Sequence, residues 1–188
     1  MKMNRKWMPA IFLGISVLFT QCDKAKDVEP DDENELITTV QLKFTPSGST
    51  ATQTFTFRDT DGDKGNPPSV FEKITLKPNT TYTLTVDLKD ESKSPAEDIT
   101  KEVKEEADEH LFVFTPSPAS LLTYTYGDKD ARNFSIGLTG TARTGAAGTG
   151  KLKVQLRHQP PMNGKAVKNG TPGPGSDDVN LDFNLEVK

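Results

Sequence analysis

The chain has 188 residues, of which 33% are hydrophobic and 27% charged, with 23 Lys and Arg against 27 Asp and Glu and a net charge of −4. A single cysteine excludes an internal disulfide and a cysteine-rich zinc site. The acidic balance argues against nucleic acid, which is bound through cations that neutralise phosphates, and against electrostatic adhesion to anionic lipid; it fits solubility or attraction for cations.

The first stretch is Met1–Cys22. Lys2, Arg5 and Lys6 form a basic start, followed by an apolar run, Trp7–Phe19, broken only by Pro9, Gly14 and Ser16. A positive n-region before a short apolar h-region predicts a secretory signal. The run falls short of the roughly 20 residues needed to span a bilayer core. Its closing cysteine, Cys22, resembles the lipobox of bacterial lipoproteins, although Gln21 stands where that motif usually has a small residue. The resemblance implies a diacylglycerol on the Cys22 thiol and a signal peptide, residues 1–21, removed just before it. An ordinary cleaved signal and a membrane-spanning anchor are the alternatives. The leader holds three of the 23 basic residues and none of the 27 acidic ones, so the remaining chain carries 20 minus 27, or −7. With Cys22 acylated, no thiol is left for a nucleophile or a metal.

Residues 22–34 combine high charge with few apolar side chains and read as a disordered acidic tether. Acidic residues shortly after the lipidated cysteine also resemble the surface-export signals of Bacteroidota lipoproteins, with Lys24 and Lys26 interrupting the run. Residues 35–188 then read as one domain, long enough to bury its own core. Leu36–Thr45 alternates through Val40, Leu42 and Phe44, and Thr52–Arg58 through Phe55 and Phe57, which predicts a hairpin around Pro46-Ser47-Gly48-Ser49. Val70–Leu76 and Thr80–Leu88 are further strands, the second with Tyr82, Leu84, Val86 and Leu88 on one face.

A helix over about 95–109 interrupts them. Ser94 is the expected N-cap, Pro95 the first helical residue, and Ile99, Val103 and Ala107 a narrow buried stripe. Glu97–Lys101 and Lys101–Glu105 are expected i, i+4 pairs. Strands resume at His110–Thr115, Leu121–Tyr126, Asn133–Leu138, Lys151–His158 and Val179–Val187. The four glycines between Thr139 and Gly150 suit a turn or mobile loop. Pro160–Ser176 is a long loop of the kind that is often functional or disordered. About nine short strands with turn chemistry between them predict a mainly β fold, an immunoglobulin-like β-sandwich with one surface helix. An up-and-down barrel is the alternative.

Glu35–Val40, Asp59–Asp63, Leu76–Tyr82, Ser94–His110 and Leu156–Pro160 together resemble a family of small Bacteroidota lipoproteins, with Pro95–His110 the most specific stretch. Members are often labelled "type 1 periplasmic binding fold superfamily protein". That label implies a two-lobed α/β protein, whereas this chain is short and β-patterned, and the label's ligand-binding function is not carried over.

Two places suit cations. His110 and His158 are the only histidines. At the end of a helix, Glu106 and His110 would stand one turn apart, and His158 would approach from a strand; two imidazoles and a carboxylate suit zinc or another divalent first-row metal. The plainer reading is structural, since a histidine at a helix C-terminus is favoured by the dipole alone. Asp59, Asp61 and Asp63 alternate around Gly62 and suit calcium, yet no Glu follows at the twelfth position and the same residues make ordinary turns. The acidic face Glu102, Glu105, Glu106, Asp108 and Glu109 reads as a solvated surface, or one drawing cations or a basic partner.

No Gly-x-Ser-x-Gly elbow or Ser/His/Asp arrangement is legible, and the expectation is not an enzyme. The composite expectation is an exported lipoprotein held to the outer membrane by its lipid, periplasmic or surface-exposed. It would act as a binding or accessory module, with zinc or calcium as candidate ions. The alternative is a structural or protein-interaction module docking on an outer-membrane transporter or another envelope protein. The oligomeric state is not legible.

Overall fold

The computed structural model describes residues 36–62 and 65–188. Period-two alternation builds the strands as expected. In β1 (Thr39–Pro46) Val40, Leu42 and Phe44 are buried, and in β5 (Thr81–Asp90) so are Tyr82, Leu84, Val86 and Leu88, while Thr83 between them is exposed. The β1 side chains meet β2 (Gln53–Arg58) across the predicted hairpin, with Val40 opposite Phe57 and Leu42 opposite Phe55.

Among the described residues, eleven strands form two sheets. The first runs β3 (Val70–Phe71), β2, β1, β5, β9 (Thr139–Thr144), β8 (Leu122–Tyr126), and β6 (Glu97–Asp98) pairs on β5. The second runs β4 (Ile74–Leu76), β11 (Ser176–Val187), β10 (Gly148–His158), β7 (His110–Ser117), antiparallel except where β4 joins β11 in parallel. Neither sheet closes on itself, so the fold is a β-sandwich and not a barrel. The core lies between the sheets: Val40, Phe44, Leu84 and Val86 of one belong to the same cluster as Leu152, Val154, Leu156 and Phe183 of the other. Phe71 against Phe183, at 5.0 Å between ring centroids, and Phe114 against Tyr124, at 4.3 Å, bridge the two layers.

Four expectations change in three dimensions. Val70–Leu76 is not one strand; β3 and β4 lie in different sheets, and the chain crosses between layers at Glu72-Lys73. The helix is shorter than 95–109: α1 spans Ile99–Glu105. Its N-cap is Asp98, whose carboxylate accepts the Thr100 N–H, because Glu97 and Asp98 are drawn into backbone pairing with Asp90 and Lys89. Thr100 Oγ1 ties the first turn to β5 through Leu88 N at 2.8 Å and Leu88 O at 3.2 Å. Ile99 and Val103 are buried as the stripe requires, whereas Ala107 lies beyond the helix end and is partly buried. Lys101 pairs with Glu105 at 3.6 Å, but Glu97 pairs with Lys93 instead.

Asn133–Leu138 is not a strand, since Asn133 (φ 68°) and Gly137 (φ 97°) take left-handed conformations and the Asp128 carboxylate binds the Gly137 and Thr139 N–H groups at 2.7 and 3.0 Å. The glycine-rich stretch after Thr139 is mostly strand, in β9 and β10. There glycine is a steric requirement: a Cβ on Gly140 would stand 2.4 Å from Tyr124 Oη and 2.5 Å from Thr125 O, and one on Gly150 2.1 Å from Ser117 O. No helix among the described residues is long and apolar enough to cross a membrane.

Gly140→Ala is expected to lower the unfolding free energy by about 1–3 kcal/mol, the usual effect of forcing a methyl group into a filled space. Urea denaturation of the two proteins side by side measures it.

Candidate metal centre

The two histidines come together because of strand register. His110 opens β7, His158 closes β10, and the antiparallel ladder sets them directly opposite each other. Each continues an inward face, His110 that of Phe112 and His158 that of Val154 and Leu156. Same-face residues opposite one another in adjacent strands touch, and the imidazoles stack with centroids 4.8 Å apart and planes 7° from parallel. His110 is fully buried and His158 only 7% exposed.

Glu106 reaches the pair by a different route from the one expected. It caps the C-terminus of α1, whereas His110 has already left the helix, so the two do not share a helical face. The turn between them instead folds back, and His110 Nδ1 lies 3.2 Å from the Glu106 carbonyl oxygen. A carbonyl only accepts, so Nδ1 carries the proton, and in the neutral ring Nε2 keeps its lone pair. Ligating histidines are oriented in the same way, by donating the other N–H to a carbonyl. One ligand atom each of Glu106, His110 and His158 lies within 4.8 Å of the others, the one grouping of this kind among the described residues.

Two further carboxylates surround the rings. Asp178 is the extra residue of a β-bulge: Leu156 pairs with Val179 and Arg157 with Asp177, so 178 faces no partner in β10. Its side chain is fully buried, with Oδ2 3.6 Å from His110 Nε2 and Oδ1 3.9 Å from His158 Nδ1. Neither oxygen accepts a hydrogen bond. Glu109, in the turn after α1, places Oε2 3.8 Å from His158 Nε2. Burial raises the pKa of Glu109 above the ordinary glutamate value, and the nearby charges of Glu106 and Asp108 add to this, against a smaller opposing pull from the histidines.

The long loop after β10 is pinned beneath the centre. Buried Gln159 donates its backbone N–H to Glu109 O at 2.7 Å and its side-chain amide to Thr171 O and Pro174 O at 2.9 and 3.0 Å. Buried Lys168 donates to Ala107 O at 2.7 Å and pairs with Asp130 at 3.1 Å. Arg132 bridges Lys168 O and Asp108 O. Gly175, at φ 80°, passes so close to β10 that a Cβ would lie 1.8 Å from His158 O. These contacts fix the turn that carries Glu106 and Glu109.

Of the residues singled out in the sequence, His110, His158 and Glu106 are therefore brought together. Asp59 follows β2, with its N–H on Thr38 O at 2.8 Å, and Asp61 accepts a hydrogen bond from Asn66. Asp63 lies outside the described residues, as do Cys22, the signal peptide and the tether. Asp178 and Lys168 escaped the sequence reading. The Asp177-Asp178 pair just before an alternating strand is the only signal for the first, and nothing in the loop composition marks the second. No protein-family model, no curated protein and no solved structure matches this chain, so function is argued from the chemistry of the centre.

The buried pair beside the centre gives a pH test. Burial alone would raise the pKa of Asp130, but hydrogen bonds from the Phe134 N–H and Lys168 outweigh it and hold it below the usual carboxylate value. Asp177 is likewise held down, burial being outweighed by Arg157 and Gln155. Such carboxylates add stability that is fully present above the unfolded pKa of about 3.9 and is lost as pH falls through the lower folded value. Unfolding free energy should therefore drop below about pH 4. At pH 7, Lys168→Met, which strands the Asp130 charge, should cost about 3 kcal/mol. Urea melts across pH 2.5 to 7 (an interval spanning the carboxylate range on both sides, roughly) measure both effects.

Proposed function

We propose that this protein is an exported lipoprotein, anchored in the outer membrane through Cys22, whose sandwich binds a divalent metal ion as a binding or accessory module of the cell envelope. His110 and His158 supply imidazole nitrogens and Glu106 a carboxylate. The observation that carries the reading is the stacked cross-strand histidine pair, with the Glu106 carboxylate in reach and the His110 Nδ1 committed to a carbonyl.

The chemistry of that donor set selects the ion. Nitrogen and carboxylate ligands suit zinc and its first-row neighbours, whereas calcium takes oxygen ligands alone. Zinc bonds of about 2.0–2.2 Å put tetrahedral ligand atoms about 3.3–3.5 Å apart, so groups up to 4.8 Å apart need to close by about 1.3–1.5 Å. An ion lies in the plane of each imidazole that holds it. Rings 7° from parallel cannot both do so as they stand, and loading turns one of them out of the stack.

Calorimetric titration of the chelator-treated protein tests this. Zinc is expected to bind at micromolar concentration or below, and His110→Ala/His158→Ala to abolish it. Unchanged zinc affinity in that double variant ends the reading. Calcium binding that survives in it moves attention to Asp59, Asp61 and Asp63. If no ion binds at all, the interaction module docking on an outer-membrane transporter becomes the better account. For the anchor, Cys22→Ala should move the protein from the membrane to the soluble fraction; continued sedimentation with membranes sinks the lipid attachment.

A further inference from the structure

We infer that Asp178, carried inward by the bulge in β11, is the anionic ligand that completes this centre between the two imidazoles and makes it a site for a zinc-like divalent ion held by two nitrogens and two carboxylates. The inference rests on the metal-binding reading above.

The argument begins with the face Asp178 occupies. Reading β11 backwards from the buried Val187, Leu185, Phe183 and Val179, strict alternation would put Asp177 inside and Asp178 in water. The bulge reverses this. Asp177 pairs across the ladder with Arg157 and meets its guanidinium, while the Asp178 side chain is fully buried. Three adjacent strands thus present one group each at the same end of the sheet: His110 from β7, His158 from β10 and Asp178 from β11.

The two neighbouring aspartates differ in how they are satisfied. Asp177 accepts from Arg157, Gln155 and Asn180. Asp178 accepts from none, although its side chain is the more buried of the two; its oxygens stand 3.6 and 3.9 Å from the imidazole nitrogens. A buried polar group left without a donor costs about 1–3 kcal/mol, and a charged one more. A carboxylate kept for structure would be given N–H donors, as Asp128 and Asp130 are in the same domain. One kept for a cation is given other ligands. The Asp178–His110 separation of 3.6 Å is close to the edge of a zinc tetrahedron, about 3.3–3.5 Å. Asp178 stands outside the grouping of Glu106, His110 and His158, so an ion that takes both carboxylates draws Asp178 in from its places beside the two rings; two neutral imidazoles and two carboxylates would then balance a charge of +2 and exclude the all-oxygen shell of calcium and the soft shell of copper(I).

Asp178→Asn keeps the shape and removes the charge. In the purified protein it is expected to weaken zinc binding by more than about 100-fold, beyond the 10–100-fold effect typical of a residue that only supports a ligand. Cobalt(II) added in place of zinc should show a changed visible absorption spectrum, because the ligand set has changed; a purely structural role would leave that spectrum alone. Equal zinc affinity and an unchanged cobalt spectrum in Asp178→Asn, with binding still lost in the double-histidine variant, overturn this inference and leave the metal reading standing. Absence of zinc binding in the unaltered protein overturns both. Should the variant not fold, crystals of the unaltered protein soaked in zinc decide: an ion bonded to an Asp178 oxygen supports the assignment, and an ion held without it refutes it.

Discussion

The register of β7 against β10 is the constraint on which both the core and the centre depend. Pairing His158 with His110 also pairs Leu156 with Phe112 and Val154 with Phe114, so the same alignment that buries the apolar face brings the imidazoles together. A slip of one residue would turn every side chain of one strand to the opposite face. The hydrophobic effect therefore fixes the histidine pair without any interaction between the rings having to be strong. The pair sits where the inward faces of these strands end, and the turn after α1 covers it with acidic residues.

Charge within this end of the sandwich is managed in two ways. Asp130 and Lys168 neutralise each other in a buried pair, and Asp177 is matched to Arg157 near the surface. Both arrangements hold the loop after β10 in place, and Lys168 through Ala107 O and Arg132 through Asp108 O hold the turn bearing Glu106 and Glu109. Around the histidines, carboxylates collect without matching donors. Asp178 is buried against both rings, and Glu109 is crowded by Glu106 and Asp108. The ion pairs and hydrogen bonds around the centre hold its carboxylates close to the two imidazoles, and on this excess of anions the proposed cation site rests.

Short-range chemistry lost to long-range pairing at several points. Ser94-Pro95-Ala96-Glu97 has every local feature of a helix start, yet the edge of β5 takes up Glu97 and Asp98 and the helix begins at Ile99. The glycines after Thr139 have the composition of a loop, yet Gly140, Gly148 and Gly150 lie in strands, and at Gly140 and Gly150 the Tyr124 ring and the backbone of Thr125 and Ser117 leave no room for a side chain. In each case the deciding atoms lie outside the short stretch whose own chemistry suggested a helix or a loop.

The sequence by itself determined the class of the fold and the inward faces of β1 and β5, and it marked His110, His158 and Glu106 as candidate metal ligands. Alternation and donor chemistry are local properties, so they are legible in a string of letters. Only the tertiary structure decided that the two histidines are neighbours, since that follows from a ladder between distant strands. It alone placed Asp178 beside them, because one unpaired residue in β11 inverts the alternation that the sequence would otherwise impose. It also assigned Lys168 to a buried ion pair, because the partner, Asp130, lies in a separate loop that only the packed sandwich brings within reach.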